Sequence, residues 1–128
     1  MVGIVIVSHS AKIAEGIKEL ALQMAQNYNG IVAAGGMEDG SIGTDAVRIM
    51  EAIQTADAGM GVALLVDLGS GIISTEMAID MLEGSIDARI IDAPIVEGAI
   101  VAAVEASIGH DLDQVIAEAV KTRDMHKS

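Results

Sequence analysis

The feature that most constrains this chain is an alternation. Short apolar runs, too brief for helices, are separated by longer stretches whose apolar residues recur at helical spacing. Gly3–Val7 (GIVIV) is a β-branched run bounded by the polar Ser8-His9-Ser10, and it predicts a strand buried on both faces. Ile13, Ile17, Leu20, Ala21 and Met24 then follow one face of a helix, with Lys12, Glu15, Lys18 and Glu19 turned outward. The segment Asn27–Gly30 carries turn residues, and Ile31–Ala34 predicts a second strand leading into a glycine-rich loop over Gly35–Gly43. Thr44 reads as the N-cap of a helix with Val47, Ile49, Met50 and Ile53. Val62–Val66 (VALLV) is the third strand, and Ile73, Met77, Met81 and Leu82 mark the helix after it. Ala88–Ile91 is a short fourth strand, followed by a helix over Ile95–Ile108 that Gly109 stops. Asp111 and Gln114 form a capping-box pattern that opens a last helix with Leu112, Val115, Ile116 and Ala119. Residues 121–128 lack an apolar period and predict a frayed tail.

An order β-α-β-α-β-α-β-α-α implies a single α/β domain over residues 1–128. Its expected form has three layers, a central, mostly parallel four-stranded sheet of order 2-1-3-4 between helices, with right-handed crossovers. At 128 residues the chain suits one domain, and we find no repeat, linker or low-complexity segment.

Composition then narrows the chemistry. With 7 Lys and Arg against 19 Asp and Glu, a formal charge of −12 argues against nucleic acid and anionic membranes as partners. The absence of cysteine removes disulfides, thiolate metal sites and thiol nucleophiles, and a single aromatic residue removes stacking platforms. Mean hydropathy is +0.51, yet Asp67, Glu97 and Glu105 interrupt every stretch that could approach a membrane span. The start MVGIVIVSHS has neither the basic region nor the cleavage pattern of a signal peptide, and Val2 excludes myristoylation. A cytoplasmic protein is expected. The eight methionines fall mostly at helical core spacing, which suits gap-filling.

In open α/β sheets, ligands meet the loops at the carboxyl ends of strands where the strand order reverses. With order 2-1-3-4 that point lies between strands 1 and 3, bringing Ser8-His9-Ser10 beside Asp67-Leu68-Gly69-Ser70. A neutral imidazole at His9 offers one nucleophilic nitrogen and one N–H, and a carboxylate at Asp67 accepting that N–H would fix the tautomer. Such a pair suits taking up and releasing a phosphoryl group, with Nε2 the free nitrogen. The alternative for His9 is a residue that caps the first helix or satisfies a backbone carbonyl; for Asp67 it is a turn or helix-entry carboxylate. Receiver domains also carry an acidic residue at the end of strand 3, but here the acidic pair after strand 1 and the lysine after a fifth strand are absent.

The loop GGMEDGSIGTD lacks the Gly-Lys-Ser/Thr of a P-loop and the spacing of a dinucleotide fingerprint, so it reads as a phosphate-approaching loop or a flexible surface turn. Gly69-Ser70-Gly71 does not match a nucleophile elbow, and Ser70 reads as a hydroxyl and amide donor beside His9. His110 and His126 have no partner at metal-ligand spacing, and no metal site is expected.

Four segments in this order, IVIVSHS, AAGGMEDGSIGTD, LLVDLGSG and APIVEGA, resemble the DhaM family, the phosphotransferase subunits of phosphoenolpyruvate-dependent dihydroxyacetone kinases. The resemblance spans essentially the whole chain. It implies the fold of mannose-class enzyme IIA domains and a homodimer. His9 corresponds to the family's phosphorylated histidine, and Asp67 to the carboxylate that hydrogen-bonds it. Gly43 and Thr44 fall in the family's Gly-Thr pair, which with Ser10, Gly69 and Ser70 makes the candidate phosphate-binding set. Sugar-transporting relatives carry a GGTP-like motif shortly after the aspartate. Gly69-Ser70-Gly71 stands there instead and favours the kinase subunits. The resemblance further implies that the carrier HPr charges His9, and that His9 passes the phosphoryl group to ADP held by the DhaL subunit, which works with DhaK. It implies no cofactor on this chain, the Mg-nucleotide being held by DhaL. A chain of 128 residues is then expected to rely on separate carriers. A sugar-transporter enzyme IIA and a non-enzymatic module switched by phosphorylation are the alternatives.

Overall fold

The computed structural model describes residues 1–128. Its elements are β1 (Gly3–Ser8), α1 (Ala11–Met24), β2 (Ile31–Gly35), α2 (Ala46–Ala56), β3 (Val62–Val66), α3 (Gly69–Met81), β4 (Ala88–Ile90), α4 (Ile95–Ser107) and α5 (Leu112–Val120). The four strands lie in the order β2-β1-β3-β4, and every neighbouring pair is parallel. The expected topology is therefore present, with a sheet that is parallel throughout.

A parallel sheet must be covered on both faces, and two apolar clusters do so. Ile4, Ile6, Ala63 and Leu65 point into the first, against α1, α4 and α5. Val5, Val7, Val62 and Leu64 point into the second, against α2 and α3. Helix residues facing the sheet are often small: Ala14 and Ala21 on α1, Ala99, Ala102, Ala103 and Ala106 on α4. Gly98 lets α4 approach β3, where a Cβ would come within 2.6 Å of Leu65 Cδ2.

Several sequence-based expectations need correction. On α1 the buried residues are Ala14, Ile17 and Ala21, while Ile13, Leu20 and Met24 are exposed. On α3 the sheet-facing residues are Gly71, Thr75 and Ala78, and Ile73, Met77 and Met81 face outward. Ile17 and Leu82 are buried as expected, but the other large apolar side chains did not mark the inner face, because the close approach of helix to sheet selects small ones. The methionines follow the same rule: Met24, Met60, Met77 and Met81 are exposed, so gap-filling does not describe them. The cap of α2 is Asp45, whose carboxylate accepts from the amides of Val47 and Arg48, and Thr44 stands one residue before it. After α5, Lys121–Asp124 form a 3-10 turn with Thr122 buried and its hydroxyl 2.6 Å from the Ala119 carbonyl, so this part of the tail is packed rather than frayed. The capping box of Asp111 and Gln114 is present. No helix is long and apolar enough to cross a membrane.

Strand register sets which residues share one end of the sheet. Val7 pairs with Val66, so Ser8 and Asp67, the next residues along, leave their strands at one level. Ser8 also pairs with Gly35, which brings the start of the glycine-rich loop to the same end.

Candidate active site

β1 is apolar until Ser8, and a fully buried hydroxyl in such a run requires a partner. Its Oγ donates to Asp67 Oδ2 at 2.9 Å and accepts from the Ser10 amide at 3.0 Å. The same Oδ2 accepts from the His9 amide at 3.0 Å. Asp67 Oδ1 lies 2.9 Å from His9 Nδ1, so Nδ1 carries the proton and donates it to the carboxylate. One carboxylate thus holds the main chain and the ring of His9 together. Both side chains are largely but not wholly covered, His9 being 21% and Asp67 14% exposed.

Burial on its own pushes the Asp67 carboxyl up. The hydrogen bonds from the His9 amide, the His9 ring and the Ser8 hydroxyl outweigh it, and the group is held below its ordinary range. Asp67 is therefore an anion, suited to compensating positive charge on a substituted imidazole.

With Nδ1 protonated, Nε2 holds the lone pair, and it lies 2.7 Å from Ser70 Oγ, which donates to it. Ser70 is exposed in the first turn of α3, whose N-terminal amides at Gly69 and Ser70 have no acceptor within the helix. Gly71 permits this packing: a Cβ there would sit 2.6 Å from Val66 Cγ1 and 3.6 Å from His9 Cε1.

Ser10 caps α1, accepting from the Ile13 amide at 3.3 Å. Gly43 donates its amide to the His9 carbonyl at 2.8 Å, pinning the end of the glycine-rich loop to the site. Its φ of +147° suits glycine, and a Cβ would crowd Met37. Thr44 Oγ1 pairs with Ser74 Oγ at 2.7 Å, one turn of α3 beyond Ser70. The structure therefore brings His9, Asp67 and Ser70 into direct contact and sets Ser10, Gly43, Thr44 and Gly69 around them. The sequence set Ser8 at this strand end without a role for it, and Ser74 was missed. A serine ending an apolar strand next to a functional aspartate was the available signal for Ser8; Ser74 offered none.

His110 pairs through Nδ1 with Glu105 at the α4–α5 junction, away from His9. The one groove of appreciable volume, about 230 Å³, runs along β2 beneath Arg48, Glu51 and Thr55 and does not include His9. No group of three or more potential metal ligands is present.

The EIIA-man family model, described as PTS system fructose IIA component, matches residues 3–116. The phosphoryl donor subunit DhaM of the PEP-dependent dihydroxyacetone kinase of Escherichia coli (strain K12) is 43% identical over 125 residues, covering 94% of this chain and 26% of that protein. DhaM of PEP-dependent dihydroxyacetone kinase 2 of Listeria innocua is 38% identical over 120 residues, covering 92% of this chain and 96% of that protein. The chain thus spans about a quarter (26%) of the Escherichia coli relative and nearly all (96%) of the Listeria one. A crystal structure of a protein of unknown function superposes with a TM-score of 0.80 at 39% identity, over 94% of this chain and 95% of that one. The dihydroxyacetone kinase of C. freundii shares the fold at 15% identity, with a TM-score of 0.66 over 95% of this chain and 24% of that one. Matched by the family model over most of its length, and by a DhaM subunit nearly from end to end, the chain belongs to the DhaM members of the EIIA-man family.

Proposed function

We propose that this chain is a phosphohistidine relay, taking a phosphoryl group from HPr onto His9 and passing it to ADP bound on DhaL, for the phosphorylation of dihydroxyacetone. The observation that carries this reading is the orientation of the His9 ring. Nδ1 is committed to Asp67 while Nε2 faces the open surface against a single hydroxyl. A phosphoryl group delivered by another protein needs an accessible nitrogen, and only the Ser70 hydroxyl stands against Nε2.

In the first transfer the Nε2 lone pair attacks phosphorus. The bond to the donor breaks, its electron pair staying with the donor. Ser70 must release Nε2 first, and its hydroxyl can then donate to a phosphoryl oxygen, joined by the free amides at the start of α3. The ring now carries positive charge, with Nδ1–H still on Asp67, so the anion stabilises the phosphorylated state without taking the proton. In the second transfer a terminal oxygen of ADP bonds to phosphorus, the P–N bond breaks, and the pair returns to Nε2. The chain's residues start and finish in one protonation state. The nucleotide and its Mg²⁺ belong to DhaL in this reading, and no cofactor is needed on this chain. A homodimer and a cytoplasmic location are part of the proposal.

The test is incubation with phosphoenolpyruvate, enzyme I and HPr. We expect acid-labile, alkali-stable label on one site, absent in His9→Ala, and its discharge on addition of DhaL–ADP. Label retained in His9→Ala would sink the assignment. Discharge to a membrane transporter's IIB subunit but not to DhaL would make the chain a sugar-transporter enzyme IIA, and label that never leaves would make it a regulatory module.

A further inference from the structure

We propose that His9, Asp67 and Ser70 also work as a serine-hydrolase triad, with Ser70 the nucleophile towards small neutral esters whenever Nε2 carries no phosphoryl group. The activity goes beyond the relay reading and does not depend on it.

A Ser–His–Asp triad is defined by geometry and roles, and its members share no fixed spacing in sequence. It needs a carboxylate accepting from one ring nitrogen, a hydroxyl donating to the other, and hydrogen-bond donors where an oxyanion forms. The first two are present: Asp67 Oδ1 is 2.9 Å from Nδ1, and Ser70 Oγ is 2.7 Å from Nε2. With Nδ1–H given to an anion and Oγ–H given to Nε2, the imidazole is set to draw the proton from serine. Gly69-Ser70-Gly71 lacks a nucleophile-elbow pattern, yet it places serine where an elbow would, between the end of a strand and the first turn of a helix.

The use made of the Ser70 hydroxyl sets it apart from other helical hydroxyls. Those of Thr55, Thr75 and Ser107 donate to carbonyls of their own helices, the local bond such residues ordinarily make. That of Ser70 is bonded to the imidazole, and the residue is exposed. Its proton is committed inward, and its oxygen lone pairs stay free for an incoming carbonyl carbon.

The head of α3 supplies the third requirement. No side chain caps this helix, and the amides of Gly69 and Ser70 have no acceptor within it. A carbonyl oxygen placed against them gains two N–H donors and the positive end of the helix dipole as it becomes an oxyanion.

The surroundings choose the ester. Leu68 and Ile73, 61% and 64% exposed, stand within one turn of Ser70 and offer apolar contact to an acyl or aryl group. A formal charge of −12 disfavours anionic acyl donors. Small neutral alkyl and aryl esters satisfy both conditions.

The steps balance with water as the only co-reactant. Oγ bonds to the carbonyl carbon as its proton passes to Nε2, and the Asp67 anion stabilises the imidazolium. Collapse of the tetrahedral intermediate breaks the bond to the alcohol oxygen, which leaves with the proton from Nε2. Water then attacks the acyl-serine, giving a proton to Nε2, and the acid departs as Oγ takes that proton back. One ester and one water become one acid and one alcohol. A phosphoryl group on Nε2 removes the base, so the two chemistries exclude each other.

A neutral fluorophosphonate probe reads the nucleophile, because Oγ displaces fluoride from phosphorus and mass spectrometry locates the adduct. We expect an adduct on Ser70 and none at this position in Ser70→Ala. His9→Gln and Asp67→Asn should slow labelling about a hundredfold or more, while His110→Ala leaves it unchanged. Phosphoramidate, a small phosphodonor, labels histidine without a protein partner, and filling His9 with it should suppress the Ser70 adduct in proportion. With p-nitrophenyl acetate, we expect acetyl-Ser70 in quenched wild-type samples, and hydrolysis about tenfold or more slower in Ser70→Ala. A Ser70 adduct forming at the wild-type rate in His9→Gln, or on protein fully phosphorylated at His9, would show an unassisted hydroxyl and overturn the triad. So would hydrolysis unchanged in Ser70→Ala, or wild-type protein that forms no Ser70 adduct. None of these measurements uses HPr or DhaL, so their failure would leave the relay reading standing.

Discussion

Asp67 accepts from the Ser8 hydroxyl, the His9 amide and the His9 ring, so replacing it with asparagine removes more than one bond. An amide cannot accept through both heads, and the ring loses the partner that fixes its tautomer. Transfer from HPr to Asp67→Asn should fall by roughly two to four orders of magnitude with the circular dichroism spectrum intact; an unchanged rate would remove Asp67 from the mechanism. The carboxyl is held below its ordinary range in the folded state, so its contribution to stability is complete above the unfolded value and lost as pH falls through the folded one. The difference in melting temperature between wild type and Asp67→Asn should therefore be widest above about pH 5 and narrow towards about pH 3. A gap constant across that range would show that the carboxylate's charge is not what the fold uses. Ser70→Ala removes one donor to the transferring group, and transfer should slow by roughly ten- to a hundredfold. Its melting temperature should hardly move, because Ser70 is exposed.

Elements fix how tightly these residues can be held. The start of α3 lies against Val66 of β3 only because Gly71 has no side chain. Gly71→Ala should cost about 1–3 kcal/mol by overpacking against Val66, seen in urea denaturation, and should slow transfer by shifting the start of α3 and Ser70 with it; a neutral substitution would mean that Val66 gives way freely. Asp111→Ala tests an element far from the site, with an expected loss of about 1 kcal/mol from the capping box and no change in transfer. Strand positions and that capping box were legible in the sequence because they depend on local chemistry: β-branched runs, and one side chain closing on amides three residues on. Helix faces were not. Hydrophobic periodicity assumes that the largest apolar residues point inward. In α1 and α3 most inward positions go to alanine, glycine and threonine, and large side chains serve the outer surface. His9, Asp67 and Ser70 were legible because each stands within a few residues of a strand end. Thr44 and Ser74 meet across 30 residues of sequence, and no spacing announces that.

Across the whole molecule, charge and apolar surface are distributed unevenly, and a chain of formal charge −12 is sensitive to ionic strength in any encounter with a basic partner. Transfer from HPr should slow steeply as salt rises from about 50 to 500 mM, whereas labelling by phosphoramidate should stay nearly flat. Equal salt dependence in the two would rule out electrostatic steering. The sheet, too, acts at this scale. His9 and Asp67 follow residues paired across adjacent parallel strands, Val7 with Val66, so their separation is set by the repeat distance between strands and not by a loop. The sheet is in effect the gauge block of the site. A slip of one residue in β1 or β3 would misalign the imidazole and carboxylate and also turn each strand's apolar residues to the wrong layer. An inaccurate site is then an unstable protein, so variants that fold at all are largely pre-sorted for correct spacing, and fine adjustment of reactivity is left to the residues beyond the sheet.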